Sequence, residues 1–249
     1  MITSWSHSKL GDFEKCKFLC WLKHDQKIPE PERALPQGKT EHANDRGTRI
    51  HTACEEFVNG TLGEQIPEMK EFAPEFEHLK LLYTKGMVSM EGEWAVDENW
   101  EPTEWGTGWH RSKVDAIVMP TPDEAIVIDY KSGKKYGNEV KHAEQTQLYA
   151  LNAVLRFPEL ELVTTELWYL DAKELTSATF TRSQILRFKA NFDRRGRALT
   201  SCTNWPANPN VFSCQWCQYG PWNSNHCTVG VNRQSTPKPL KNNAKKPKP

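Results

Sequence analysis

Ser112-Lys-Val-Asp115-Ala-Ile-Val-Met119, then Pro120-Thr-Pro-Asp123-Glu124, then Ala125-Ile-Val-Ile-Asp129-Tyr130-Lys131 is the stretch on which the fold turns. Two short runs rich in Val and Ile, split by a connector holding two prolines and an aspartate, read as adjacent strands joined by a turn. Side chains alternate across a strand, so Asp129 and Lys131 share one face while Ile128 and Tyr130 take the other. Asp115 can lie beside them on the partner strand. An apolar run that ends in Asp and Lys puts charges where a sheet favours apolar groups, and a cost of that kind usually marks a site.

Two carboxylates with a lysine two residues beyond the second suit phosphodiester hydrolysis. The carboxylates can hold a hard divalent cation, Mg²⁺ or Mn²⁺, which binds the phosphate and lowers the pKa of the attacking water. Lys131 can then orient that water or offset the negative charge growing on the phosphate. At these residues the chain resembles the PD-(D/E)XK nuclease superfamily, with Asp115 and then Asp129-Tyr130-Lys131 after a hairpin. Val114 stands where the proline of the family name would be, and Ser112 where relatives often carry glycine.

With 249 residues the chain is long enough to bury a core as one domain. Its 32 basic and 32 acidic residues cancel, but six basic ones (Arg233, Lys238, Lys241, Lys245, Lys246 and Lys248) lie beyond residue 232, where no acidic residue stands. Residues 1–232 are therefore net −6. Residues 233–249, polar and Pro-rich, read as a disordered basic tail. No apolar run is long enough to span a bilayer, and the first residues lack a secretory pattern. The expectation is a soluble, cytoplasmic protein with no membrane partner, in the host cytoplasm if viral. In that compartment seven cysteines argue for metal ligation over disulfides.

Upstream of the hairpin, Ser6 and Ser8 can cap a helix carrying Leu10, Phe13 and Cys16 at helical spacing, which would put Cys16 and Cys20 on one face. Residues Asp45 to Asn59 read as a helix closed by Gly60, with His51 and Glu55 on one face. A helix over Pro74–Lys85 precedes a strand over Met87–Val96. Within it Glu93 is either a further acidic group near a metal or a solvent-facing strand residue. Trp100, Trp105 and Trp109 lie among glycines, where tryptophans either stack bases of a single strand or, more often, pin the loop to the core. Cys54 falls in an apolar helix and reads as core.

Downstream, Gly133 to Gly137 form a basic loop with Lys134 and Lys135, and Glu139 to Phe157 read as a long helix ended by Pro158. Its core stripe is Leu148, Leu151, Val154 and Leu155, with Gln145, Tyr149 and Asn152 on another face. Leu162–Leu170 and Leu175–Thr181 read as strands. Ser183–Leu199 reads as a basic helix whose Arg187 and Arg194 either contact phosphates or are solvated. Cys214-Gln-Trp-Cys217 is a thiolate pair at two-residue spacing, and Cys227 follows.

These motifs are similar to the RecB-like branch of the superfamily. Arg46-Gly47-x-x-x-His51-x-x-x-Glu55 resembles the segment ahead of its first strand, which implies that His51 touches the metal together with Asp115, Asp129 and the backbone carbonyl of Tyr130. Gln145-x-x-x-Tyr149 resembles its glutamine–tyrosine helix, which helps position substrate and active site. Cys16 with Cys214, Cys217 and Cys227 resembles the four-cysteine cluster of iron–sulfur exonucleases associated with CRISPR loci and of the AddAB nuclease domain. Cys20 and Cys202 are rival ligands, and four thiolates accept zinc as well as a 4Fe–4S cluster.

The resemblance implies an α/β fold with a restriction-endonuclease-like mixed sheet flanked by helices. It also implies one nuclease domain over residues 1–232, whose cysteine segments (about 1–24 and 200–232) are joined by the cluster. The activity implied is a metal-dependent exonuclease on single-stranded or end-exposed DNA, in recombination, repair or DNA degradation, with a helicase or recombination partner or as a stand-alone phage enzyme. A structure-selective endonuclease and a catalytically idle nucleic-acid-binding protein are the alternatives.

Overall fold

The computed structural model describes residues 1–32, 35, 37–133 and 135–232. The basic tail read from residue 233 and the loop residue Lys134 lie outside the described residues. The described residues form two compact units, one of residues 1–10 with 35–201 and one of residues 11–32 with 202–232. In chain order the helices are α1 (His7–Lys15), α2 (Lys17–Cys20), α3 (Ala43–Asn59), α4 (Ala73–Thr84), α5 (Glu139–Arg156), α6 (Arg182–Leu186), α7 (Phe188–Thr200) and α8 (Val211–Cys214). The strands are β1 (Val88–Val96), β2 (Pro102–Thr103), β3 (His110–Thr121), β4 (Glu124–Lys131), β5 (Leu162–Tyr169) and β6 (Glu174–Thr181).

In the first unit the hairpin forms as its apolar alternation predicts, with Ala116↔Ile128 to Val118↔Ile126 paired antiparallel. The six strands make one mixed sheet in the order β2-β1-β3-β4-β5-β6. β4 and β5 are parallel and the other neighbours antiparallel. A parallel pair requires a crossover, and α5 supplies it. Ile128 and Tyr130 join Ala116, Val118 and Trp168 in a core covered by Ile50 and Cys54 of α3 and Phe76 of α4. Alternation along β4 sends Asp129 to the other face. Leu148, Leu151 and Val154 of α5 are fully buried. Helix α3 stops where expected, at Gly60, whose φ of +87° is the left-handed C-cap that glycine adopts without strain.

The basic helix expected over Ser183–Leu199 divides into α6 and α7 at Arg187. That residue keeps right-handed dihedrals (φ −68°, ψ −24°), so the division is a local tightening of one helical path.

Trp5, Trp100 and Trp109 pack edge to face, with ring centroids 5.5 to 6.2 Å apart. The indole N–H groups of Trp100 and Trp109 donate to Asp193 and Thr200. Two of the three loop tryptophans therefore pin the loop to the core. Gly196 of α7 permits this packing, since a Cβ there would lie 2.5 Å from Trp5 Nε1. His110 stacks on Trp5 with centroids 4.1 Å apart and lies in a buried network with Ser112 and Asn152.

The second unit corrects one expectation. Cys16 and Cys20 do not share a helical face, because Cys16 is extended (φ −164°, ψ 115°) and separates α1 from α2. Leu19, Leu22 and Tyr219 form its small core, and the Tyr219 hydroxyl donates to Ile28 O at 2.8 Å. Phe18 N–H donates to Pro206 O and Gln218 to Glu30, so the two chain segments are joined by both backbone and side chains. Among the described residues no helix is long and apolar enough to cross a membrane.

Complete burial pushes the His110 pKa from 6.5 down to about 3. The unfolded chain then takes up a proton that the fold refuses, so stability is complete above pH 6.5 and is lost as pH falls toward 3. The slope is about 1.4 kcal/mol per pH unit. Melting curves from pH 7 to pH 4 should show this decline in the wild type. They should show a shallower one in His110→Gln, so that the two melting temperatures converge in acid.

Candidate active site

The site is built where the paired part of the hairpin ends. The Oδ2 atom of Asp115 accepts the Tyr130 N–H at 2.7 Å, so the side chain fixes the backbone of β4 between Asp129 and Lys131. Asp115 Oδ1 lies 3.1 Å from Nδ1 of His51, which reaches in from α3. Glu91 of β1 completes a group in which one ligand atom from each of His51, Glu91 and Asp115 lies within 4.8 Å of the others. The β1–β3 register pairs Met90 with Ala116 and Gly92 with Val114, which sets Glu91 between them, opposite Asp115. Glu91 has a φ of +47°, a left-handed conformation uncommon for a non-glycine residue. Glu93, the acidic residue singled out from the sequence, is exposed and pairs in register with Lys113. Cross-strand register sets Glu91 opposite Asp115, where its carboxylate also meets the Lys113 ammonium at 2.9 Å, and a single sequence does not carry that register.

Asp129 is 2% exposed and Asp115 7%. The Lys131 ammonium lies 2.5 Å from the buried Asp129 Oδ2 as an ion pair. Lys131 also donates to Gln145 Oε1 at 2.9 Å, and Gln145 Nε2 donates to the Tyr149 hydroxyl at 2.6 Å. The structure thus brings Asp129, Lys131, Gln145 and Tyr149 into one chain of contacts.

Burial raises the Asp129 pKa; Lys131 opposes this and the Asp115 charge adds to it. Burial pulls the His51 pKa down, but the hydrogen bond and charge of Asp115 outweigh it and hold it above 6.5. Each of the three carboxylates has a basic neighbour, Lys131 at Asp129, Lys113 at Glu91 and His51 at Asp115. An imidazole and two carboxylates meeting in the His51–Glu91–Asp115 group are a donor set that fits a hard or borderline divalent cation.

In the second unit Cys16, Cys214, Cys217 and Cys227 line one pocket. The Asn208 and Asn210 N–H groups point at the sulfurs of Cys16 and Cys214, each at 3.4 Å. Burial raises the Cys217 pKa, and the charges of Cys227, Cys16 and Cys214 add to it. The rivals do not line that pocket, since Cys20 is fully buried and the Cys202 thiol donates to Asn204 O. Cys54 is buried in α3, where desolvation pushes its thiol pKa up.

The basic candidates scatter. Lys135 pairs with Glu174 and lies over the Tyr169 ring. Arg187 is exposed at the α6–α7 junction, and Arg194 donates to Asn191 on its own helix.

The sequence pattern of the PD-(D/E)XK nuclease superfamily matches residues 4–222. No curated protein matches the chain. Among solved structures, that of SSO0001 is similar at 16% identity over 75% of this chain and 82% of that one, with a TM-score of 0.38. An alkaline exonuclease from Laribacter hongkongensis (LHK-Exo) is 12% identical over 80% of this chain and 87% of its own, with a TM-score of 0.32. A phage-related exonuclease from Haemophilus somnus is 10% identical over 66% and 88%, with a TM-score of 0.28.

Glu91 and Glu93 are separable by experiment. Glu91→Gln should weaken Mn²⁺ binding at least about tenfold in titration calorimetry. Glu93→Gln should leave it within error of the wild type, and the reverse ranking would give the site to Glu93.

Proposed function

The chain belongs to the PD-(D/E)XK nuclease superfamily, and from that premise we propose that it is a divalent-metal-dependent DNA exonuclease acting on single-stranded or end-exposed DNA. The observation that carries the chemistry is the meeting of His51, Glu91 and Asp115 beside the Asp129–Lys131–Gln145 chain at the end of the hairpin. His51, Glu91 and Asp115 would hold Mg²⁺ or Mn²⁺, with Asp129 and the Tyr130 backbone carbonyl as the further ligands that the family resemblance implies, and the ion would supply Lewis acidity toward the phosphate and lower the pKa of water.

The remaining work falls to the chain. Asp129 and Gln145 hold the Lys131 ammonium between them, where it can orient the attacking water or offset charge on the phosphate. Tyr149 locks the Gln145 amide, so Lys131 is aimed by two elements, β4 and α5. An imidazole among oxygens favours Mn²⁺ over Mg²⁺.

For the second unit we adopt the RecB-like reading, with Cys16, Cys214, Cys217 and Cys227 as ligands of a 4Fe–4S cluster and structural zinc as the alternative. Their shared pocket and the amides directed at two sulfurs support ligation. The single domain over residues 1–232 stays part of this proposal, with the cluster as its join.

Linear and circular DNA distinguish the activities. With Mn²⁺, linear strands should be degraded and covalently closed circles left intact. Opened circles would indicate an endonuclease, and no cleavage of any substrate would leave a binding protein. Asp129→Asn should lower cleavage by about two to three orders of magnitude. The raised pKa means that the ionised carboxylate costs stability as pH rises above 3.8, so the neutral variant should melt no lower than the wild type at pH 7.

The cysteine assignment predicts a colour. Anaerobically purified protein should carry iron and sulfide, Cys214→Ser should lose them and melt lower, and Cys202→Ser should keep them. Zinc without iron in the wild type would replace the iron–sulfur reading.

A further inference from the structure

In the first unit a cleft of about 490 Å³ opens beside the active site, with Gln145 and Tyr149 forming part of its wall. Its size falls in the range of pockets that take a nucleotide-sized ligand. Four basic residues, Lys9, Arg111, Lys113 and Lys141, line it, Lys113 being paired with Glu91 at 2.9 Å, and among the described lining residues there is no carboxylate. That is notable in a chain whose residues 1–232 hold more acidic than basic side chains. Such a concentration of cations draws a polyanion from solution.

The cleft also holds the third loop tryptophan. Trp105 is half-exposed, unlike its buried neighbours Trp100 and Trp109. Arg111 lies over its ring at 5.7 Å and donates to Gly106 O and Gly108 O, so the aromatic is fixed to β3 rather than carried on a loose loop. Lys9 is steadied by a bond to Ser4 O at 2.8 Å. A fixed aromatic beside the anchored cations Arg111 and Lys9 suits a nucleotide whose base is unpaired, because a base within a duplex cannot offer its face to a side chain. Gln145 borders this cleft and also binds Lys131, so a strand lying here runs directly into the catalytic contacts.

We propose that this cleft is the subsite for one unpaired nucleotide next to the bond being cut, its phosphate on Lys9 and Lys141 and its base against Trp105. The orientation of the strand rests on the nuclease reading; the binding does not. The enzyme thereby takes a single strand, and a duplex only after its end frays.

The test measures binding of a labelled short oligothymidylate to the full-length protein in EDTA over a salt series, with folding checked by circular dichroism. Trp105→Ala should weaken binding about tenfold at fixed salt with an unchanged salt slope, and Trp105→Phe should restore most of it. The Trp105→Ala loss should vanish on a strand that lacks bases. Lys141→Gln should weaken binding and reduce the slope of log K against log salt by about 0.7. If both variants bind like the wild type while the wild type cuts linear DNA with Mn²⁺, the cleft is not the subsite and the nuclease reading stands. If the variants weaken binding as stated but the wild type never cuts, the subsite stands and the nuclease reading falls.

Discussion

The ion pair between Lys131 and Asp129, both largely withdrawn from water, is the interaction around which the first unit is arranged. A buried carboxylate is costly alone and costlier beside a second one, as the raised pKa of Asp129 next to Asp115 records. The surroundings answer that cost group by group. Asp115 is held by the Tyr130 N–H and His51, and Lys131 by Asp129 and Gln145, which Tyr149 holds in turn. Three of these contacts join different elements, Asp115–Tyr130 linking β3 to β4, Asp115–His51 linking β3 to α3 and Lys131–Gln145 linking β4 to α5. α3 delivers His51, β1 delivers Glu91 and α5 delivers Gln145 and Tyr149, so correct packing of three elements around one hairpin is a condition of assembling the site.

That dependence explains what was legible in the sequence. The hairpin shows in its apolar alternation, and Asp129 and Lys131 stand out because they interrupt it. α5 shows through its buried stripe and the proline that follows, and α3 ends at the glycine that permits a left-handed cap. These are local signals, each set by the period of one element or the dihedrals of one residue. Glu91 was not legible, because its importance comes from lying opposite Asp115 on the neighbouring strand, and Glu93 two residues on has the same alternation. The tryptophans were legible as a group but not individually. Trp100 and Trp109 are separated from Trp105 only by what lies across from them, namely Asp193 and Thr200 on α7. The extended conformation of Cys16 was missed for a related reason. Helical spacing continued through it, while its role in the pocket with Cys214, Cys217 and Cys227 is set by residues nearly two hundred positions away.

Arg46 shows how the first unit secures the end of β4. Its guanidinium donates to Ser132 O, directly after Lys131, and to both carboxylate oxygens of Asp171, just after β5. A bidentate arginine is rigid where a lysine would not be. One residue of α3 therefore clamps the ends of two parallel neighbours, and the same helix carries His51 five residues on. The parallel β4–β5 pair needs such a clamp more than a hairpin does, since no short turn joins its strands and their register rests on packing and side chains.

The second unit poses the opposite problem. Its two segments are separated in sequence by the whole sheet, so bringing them together forfeits the chain entropy of a long loop, a cost that grows slowly with length but is never zero. Against that stand the cluster of Leu19, Leu22 and Tyr219 with half-buried neighbours such as Phe18 and Trp21, the buried Phe13 and Cys20, and hydrogen bonds such as Tyr219 to Ile28. A core of this size is far below what folded domains of modest length rely on, and small units of this kind are commonly held by disulfides or metal. All seven cysteines stand as free thiols, four of them lining one pocket. Ligation by Cys16 from one segment and Cys214, Cys217 and Cys227 from the other would join the segments through bonds formed only in the native arrangement. Its binding free energy would then count directly as folding free energy.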